Sequence, residues 1–344
     1  MKAVRLLPIA LSFLLLTGCA REAAAPAQAE EAHTVELLAM DTIMRITVYG
    51  PDGQKAADQA ADRILELEDL LSTTDTGSEI YGVNHSGGAP AALSGDTVRL
   101  LDQALTLCES TGGALDVTIY PVVRAWGFTT GACQVPGGDE LAGLLEQVDY
   151  REVALEGSVL TLPRGAEIDL GAVAKGYTGD QVAALLLDAG VTSALLELGG
   201  NIQTVGAKPD GTPWRVAVQA PEGGYAGVLE VEDKAVVTSG GYERYFEQDG
   251  EIYWHIIDPA TGYPAQSGLT SVTIISDRGV EGDGLSTALF VMGAEKAASY
   301  WRENGGFDFV LIDEEGGVTI TEGIEDSFSL YGEWTDHDLT VLRP

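Results

Sequence analysis

Apolar and polar residues alternate from Val35 to Tyr49, with Ile46 and Val48 set against Arg45 and Thr47, and this period of two predicts a strand. Gly50-Pro51-Asp52-Gly53 then reads as a turn. Beyond it the period lengthens: Ala60, Ile64, Leu67 and Leu71 recur at helical spacing and predict an amphipathic helix over Ala56 to Leu71. A second helix is expected from Thr97 to Glu109, ended by Gly112-Gly113. A third runs from Lys175 to Ala189 with Gly190 as its stop, and a fourth from Asp283 to about Glu303. Short β patterns fill the rest: a hairpin of Glu152–Leu155 and Val159–Leu162, then Ala194–Leu198, Trp214–Val218, Val228–Val231 and Ala235–Thr238. Ile252–Ile256, Thr270–Ile275, Phe309–Ile312 and Val318–Thr321 follow. Strands arrive in runs separated by single helices, so the class is α+β, with mostly antiparallel sheets and packed helices.

The N-terminal end does not fit that pattern. Lys2 and Arg5 precede an apolar run from Leu6 to Leu16, and Leu16-Thr17-Gly18-Cys19 closes it. This is the layout of a secretory signal ending in a bacterial lipobox, and the run is shorter than the roughly 20 residues of a spanning helix. Residues 1–18 are therefore expected to be a signal peptide, with Cys19 lipidated and the protein exported and anchored to the outer face of the cell membrane. The Ala/Pro/Glu segment that follows lacks apolar bulk, and 19–33 is expected to be a solvated tether. Globular patterning starts near Thr34. About 310 residues then remain, enough for one large or two closely joined domains.

Fifty-three acidic against nineteen basic residues give a net charge of −34. Without Lys/Arg patches there is no counterion-release footprint, so nucleic acid is excluded as a partner. An anionic ligand would need a local cation or backbone dipoles. Three cysteines are present. With Cys19 lipidated, Cys108 and Cys133 could pair outside the cytoplasm, although Cys108 sits in an apolar helical pattern and reads as core. Nothing supports a cysteine nucleophile or a zinc site.

Chemistry concentrates in a few segments. His255-Ile256-Ile257-Asp258-Pro259-Ala260-Thr261-Gly262-Tyr263-Pro264 sets an imidazole, a carboxylate and a hydroxyl beside two prolines, after Ile252-Tyr253-Trp254, a run that reads as buried strand. A lone histidine there is more often a satisfied structural residue. Gly171-Ala172-Val173-Ala174-Lys175-Gly176-Tyr177-Thr178 has the glycine spacing of a phosphate loop, but Tyr177 stands where the lysine must be. A glycine-bearing loop and a helix start remain, flanked by Asp169 and Lys175, able to hold a phosphate or simply capped. Asp283 and Thr287, four apart, share one helix face and offer hard oxygens suited to magnesium or calcium; an aspartate at a helix start is also a common cap. Gly112-Gly113-Ala114-Leu115-Asp116 and Leu198-Gly199-Gly200-Asn201 are turns that let backbone approach a ligand.

Taken in order, Met40-Asp41-Thr42, Gly113 to Asp116, Tyr120-Pro121 to Trp126-Gly127-Phe128, Asp169 to Tyr177, Leu198 to Asn201, Thr238-Ser239-Gly240, His255 to Pro264 and Asp283 to Thr287 resemble the ApbE family of FAD:protein FMN transferases. The resemblance spans about residues 35 to 340, so 34–344 is expected to form one ApbE-like flavin transferase domain. It implies cleavage of the FAD pyrophosphate, transfer of FMN to a threonine or serine hydroxyl of an exported acceptor protein, and release of AMP. By the same resemblance, Met40, Ala114, Leu115, Asp116, Asp169, Lys175 and the Ile257 backbone would contact FAD. The Ala172 carbonyl, Asp283 and Thr287 would ligate Mg2+, and His255 would be the general base. Three positions depart from the family pattern: Thr74 where many relatives carry an aromatic residue, Asp41 where glycine is usual, and Ser286 where some have a second aspartate. The competing readings are a magnesium-dependent FAD pyrophosphatase, a flavin-binding lipoprotein without turnover, and a generic solute-binding lipoprotein.

Overall fold

The computed structural model describes residues 31–344. The expected signal peptide, the lipidation site Cys19 and most of the tether lie outside the described residues. Strand pairing begins at Ala32. The expected single strand over Val35 to Tyr49 is instead two, β1 (Ala32–Ala39) and β2 (Thr42–Tyr49), paired antiparallel with Ala39 opposite Thr42. Met40 and Asp41 make the two-residue turn, both at positive φ (50° and 60°), which is the backbone hand such a hairpin demands.

The central sheet adds β3 (Ala194–Leu198), β4 (Asn201–Val205) and β5 (Ala235–Gly240). A separate hairpin follows, β6 (Tyr245–Gln248) and β7 (Glu251–Trp254). The chain then returns to the large sheet with β8 (Leu269–Ser276), β9 (Phe307–Asp313), β10 (Val318–Thr321) and β11 (Leu339–Leu342). Nine strands lie in the order β1-β2-β3-β4-β5-β8-β9-β10-β11, and every neighbouring pair is antiparallel except β10 with β11. The mixed α+β, largely antiparallel expectation therefore holds.

Two layers cover this sheet. On one face pack the helices α1 (Gly53–Leu71), α3 (Gly171–Asp188), α4 (Gly279–Met292) and α5 (Ala294–Asn304), with α2 (Gly95–Ser110) lying outside them against α1, α3 and α4. Met44, Ile46 and Val48 meet α1 and α3 in one apolar cluster, while Val272 and Ile274 meet Leu285, Leu289 and Trp301 in another. The opposite face carries Val236, Ile275, Val310 and Ile312 against a three-stranded sheet of Trp214–Gln219, Tyr225–Val231 and Phe328–Leu330. Strand alternation explains this division: Ile274 and Ile275 are consecutive and point to opposite layers.

The long helix expected from Asp283 is broken. Gly293, at φ 78°, ends α4 and starts α5 at Ala294. Ile252-Tyr253-Trp254 is not a buried strand either. Ile252 is 52% exposed, and Tyr253 and Trp254 are half-buried on opposite faces of the small hairpin. Cys108 is core as expected, with burial pushing its thiol up to about 12. Cys133 is exposed, and both are free thiols.

Candidate active site

The crossing of α3 and α4 builds the site. Gly176 and Gly279 face each other across it, and a Cβ on either would fall inside van der Waals contact of the other's carbonyl oxygen. A Cβ on Gly176 would also lie 2.8 Å from Cβ of Asp283. Glycine at both positions therefore brings two backbones close enough for Lys175 and Ala172 to meet Asp283.

Each helix start differs from expectation. Asp169 Oδ1 accepts the Gly171 N–H at 2.8 Å, so α3 begins at Gly171 and the expected glycine loop is its first two turns. Asp180, from α3, accepts Gly279 N–H at 2.6 Å and Val280 N–H at 3.1 Å and so caps α4. Asp283 consequently lies in the second turn of α4, where it caps nothing. Its side chain is only 5% exposed. Its Oδ2 accepts the Gly176 N–H at 2.8 Å, and its Oδ1 lies 3.7 Å from Lys175 Nζ.

That bond bears on Ala172. In an α-helix the Gly176 N–H belongs to the Ala172 carbonyl. Asp283 competes for it, which leaves acceptor capacity on the carbonyl oxygen. Thr287, one turn beyond Asp283, keeps a single 3.4 Å contact to Ser239 Oγ. Among the described residues no three His, Cys, Asp or Glu side chains converge to hold an ion. The Ala172 carbonyl, Asp283 and Thr287 form a set with one carboxylate, all hard oxygens, which fits Mg2+ and would suit zinc poorly.

His255 follows β7. Its N–H donates to the Arg244 carbonyl at 3.0 Å, and its Nδ1 lies 3.2 Å from the same oxygen. A carbonyl only accepts, so this contact assigns the ring proton to Nδ1 and leaves Nε2 as the basic nitrogen. Burial first, then the charges of Arg244 and Lys175, push the imidazole down to about 4. It is neutral near physiological pH. Phe128 stands edge-on to the ring at 6.4 Å.

The same two cations act on Asp169, whose carboxyl burial raises, and on Glu243, which burial pushes up to about 7 despite an exposed side chain. Asp283 adds to the Glu243 shift. Lys175, Arg244, Asp169, Glu243, Asp283 and His255 thus share one electrostatic neighbourhood. Glu243 and Arg244 were not singled out in the sequence; their signal was a charged pair right after Gly240-Gly241-Tyr242. Ser239 enters the sequence reading only within the Thr238-Ser239-Gly240 motif, yet its Oγ bonds Ser286 Oγ at 2.8 Å beside Thr287.

The remaining residues divide into two walls. Met40, Ala114, Leu115 and Ala172 pack in one apolar cluster with Val173 and Tyr177 of α3, and Leu115 reaches Gly284 of α4. Ile257 belongs to another cluster, with Val122, Trp126 and Phe128. Asp116 is buried and its carboxylate is committed: Oδ1 accepts from Thr118 N–H (2.8 Å) and Oγ1 (2.6 Å), and Oδ2 from Tyr150 N–H (3.1 Å). Asp258 and Thr261 are likewise used within their turn, accepting the N–H groups of Ala260 and Tyr263.

The model of the ApbE family matches residues 40–311 of this chain. The FAD:protein FMN transferase of Treponema pallidum is 34% identical over 313 residues, covering 84% of this chain and 86% of that protein. That of Vibrio cholerae is 36% identical over 302 residues, covering 85% and 89%. Among solved structures, the ApbE protein of Thermotoga maritima superposes with a TM-score of 0.82 at 30% identity, over 86% of this chain and 99% of that one. The flavin transferase ApbE of Vibrio cholerae gives 0.75 at 31%, over 89% and 99%.

Proposed function

This chain belongs to the ApbE family, and from that membership and the geometry of its site we propose that it is an FAD:protein FMN transferase, moving FMN from FAD to a hydroxyl of an acceptor protein. The observation that carries the mechanism is the arrangement around His255: a neutral imidazole with Nδ1 held by a backbone carbonyl, next to the cations of Lys175 and Arg244.

In this reading the acceptor threonine or serine Oγ attacks the FMN-side phosphorus of FAD. A new P–O bond forms, the P–O bond to AMP breaks, and the bridging oxygen leaves with AMP. The hydroxyl proton passes to His255 Nε2, a step worth roughly 10²–10⁴-fold as general-base catalysis. Lys175, 3.7 Å from Asp283, would supply a cation for the phosphates in a strongly negative protein, and phosphoryl transfer depends mainly on such positioning and charge. Met40, Ala114 and Leu115 give the flavin an apolar wall; Asp116 would act through its backbone, since its carboxylate is spent. Asp169 fixes the α3 start, and the Ile257 backbone closes the opposite side.

Mg2+, held by Asp283, Thr287 and the Ala172 carbonyl, would supply Lewis-acid neutralisation of the pyrophosphate charge. The lipobox at Cys19 supports a lipid-anchored protein on the outer face of the membrane, acting on exported acceptors. Replacing His255 with Ala is expected to reduce FMN transfer by at least about a hundredfold while FAD still binds. Replacing Asp283 with Ala is expected to abolish metal-dependent AMP release. Transfer at the wild-type rate by the His255 variant would remove the base from this mechanism. AMP release by wild type without any acceptor adduct would favour an FAD pyrophosphatase.

A further inference from the structure

The hairpin that delivers His255 has unpaired edges. β6 and β7 form a sheet of their own, with Tyr245 opposite Trp254, Phe246 opposite Tyr253, Glu247 opposite Ile252 and Gln248 opposite Glu251. Bonded and non-bonded pairs alternate in an antiparallel ladder. His255 N–H donates to the Arg244 carbonyl, so the bonded pairs are Arg244/His255, Phe246/Tyr253 and Gln248/Glu251. Tyr245, Glu247, Ile252 and Trp254 therefore turn their N–H and C=O groups outward, and no described residue hydrogen-bonds them.

The faces of the hairpin differ as well. Phe246 and Tyr253 pack on Trp126, and His255 shares their face beside Phe128. The other face leaves Tyr245 and Ile252 55% and 52% exposed. An open edge bearing exposed apolar side chains invites another strand, and natural proteins usually block such edges. This one leads, through Trp254, directly into His255.

We propose that the free edge of β7 receives the acceptor protein as an added strand, which seats the acceptor hydroxyl residue beside His255. The inference rests on the transferase reading above. Side chains directly opposite in neighbouring strands have Cβ atoms about 4.5–5.5 Å apart, so a threonine facing the His255 position lies on the same face of the sheet as the imidazole. Main-chain pairing would grip the segment while leaving its sequence largely free. Charge narrows the choice: Asp249 and Glu251 are exposed at the hairpin tip on the β7 side, so the part of the acceptor lying there is uncharged or basic. A second copy of this chain would set those carboxylates against their own kind.

Proline makes the test specific. At Ile252 it removes an outward N–H and puts its ring in the path of an added strand, without taking a bond from the β6–β7 ladder. Glu247→Pro does the same on the β6 edge. With the acceptor protein of the Vibrio cholerae relative as probe, Ile252→Pro is expected to raise the acceptor KM about tenfold or more, the loss of one well-made hydrogen bond. FAD binding, read by flavin fluorescence, stays at the wild-type level, and Glu247→Pro leaves both readings unchanged. An unaltered KM in Ile252→Pro, or a raised one only in Glu247→Pro, overturns the inference. If Ile252→Pro loses FAD binding, hydrogen exchange on the wild-type enzyme decides: the amides of Ile252 and Trp254 gain protection when the acceptor is added, and no gain overturns it. A dimer formed through this edge without acceptor also overturns it. Wild-type enzyme that binds FAD but modifies no acceptor counts against the transferase reading instead.

Discussion

At His255 one backbone carbonyl does two things: it holds the strand end through the main-chain N–H and fixes the ring tautomer through Nδ1. The surroundings then keep the ring neutral. Its folded value lies near 4 against an ordinary 6.5, through burial and the cations of Arg244 and Lys175. Between those two pH values the unfolded chain binds a proton that the folded chain refuses. Stability therefore falls as pH drops through this window, and the contribution is fully present above about 6.5. Urea denaturation of wild type and His255→Gln at pH 7 and pH 5 checks this: wild type loses stability relative to the variant on acidification. A difference that stays constant between the two pH values contradicts the burial of a neutral imidazole.

The elements that matter most are the two helices joined at Gly176 and Gly279. Gly176→Ala forces a methyl against the Gly279 carbonyl and toward Asp283. Overpacking of this kind costs about 1–3 kcal/mol, and it parts Lys175 and Ala172 from Asp283. We expect a lower melting temperature together with a loss of AMP release that persists well below the new melting point; full activity in the folded variant would show that the spacing is immaterial. These same glycines obscured the helix starts in the sequence. Gly279, Gly282 and Gly284 weaken the helical signal, because glycine costs roughly 1 kcal/mol in a helix interior, so Asp283 read as the beginning of α4. Likewise Gly171 and Gly176 suggested a loop where α3 had already begun. Phe309–Ile312 was legible because burial on both faces leaves a continuous apolar run, and Ala194–Leu198 because its buried and half-buried positions alternate. The run before His255 misled for a related reason: aromatic residues mark a buried strand and a one-sided surface hairpin alike.

For the whole molecule, charge and topology combine at one place. A chain of net charge −34 gathers Lys175 and Arg244 around Asp169, Glu243 and His255. Segments far apart in sequence reach that place because α3 and α4 cross at Gly176 and Gly279 on one face of the nine-stranded sheet, whose strands follow chain order. The order of motifs along the chain made the family legible and pointed to Asp169, Lys175, His255 and Asp283, which the fold brings into one neighbourhood. Glu243 and Arg244 escaped because only the fold folds their loop back toward Lys175. The central claim concerns what this assembly does to FAD and a protein acceptor together. Its most direct test is the intact mass of the Vibrio cholerae relative's acceptor protein after incubation with residues 20–344, FAD and Mg2+, with AMP measured in parallel. The account predicts an acceptor heavier by one FMN moiety and Mg2+-dependent AMP release in equal amount; an unmodified acceptor, with or without AMP, would contradict it.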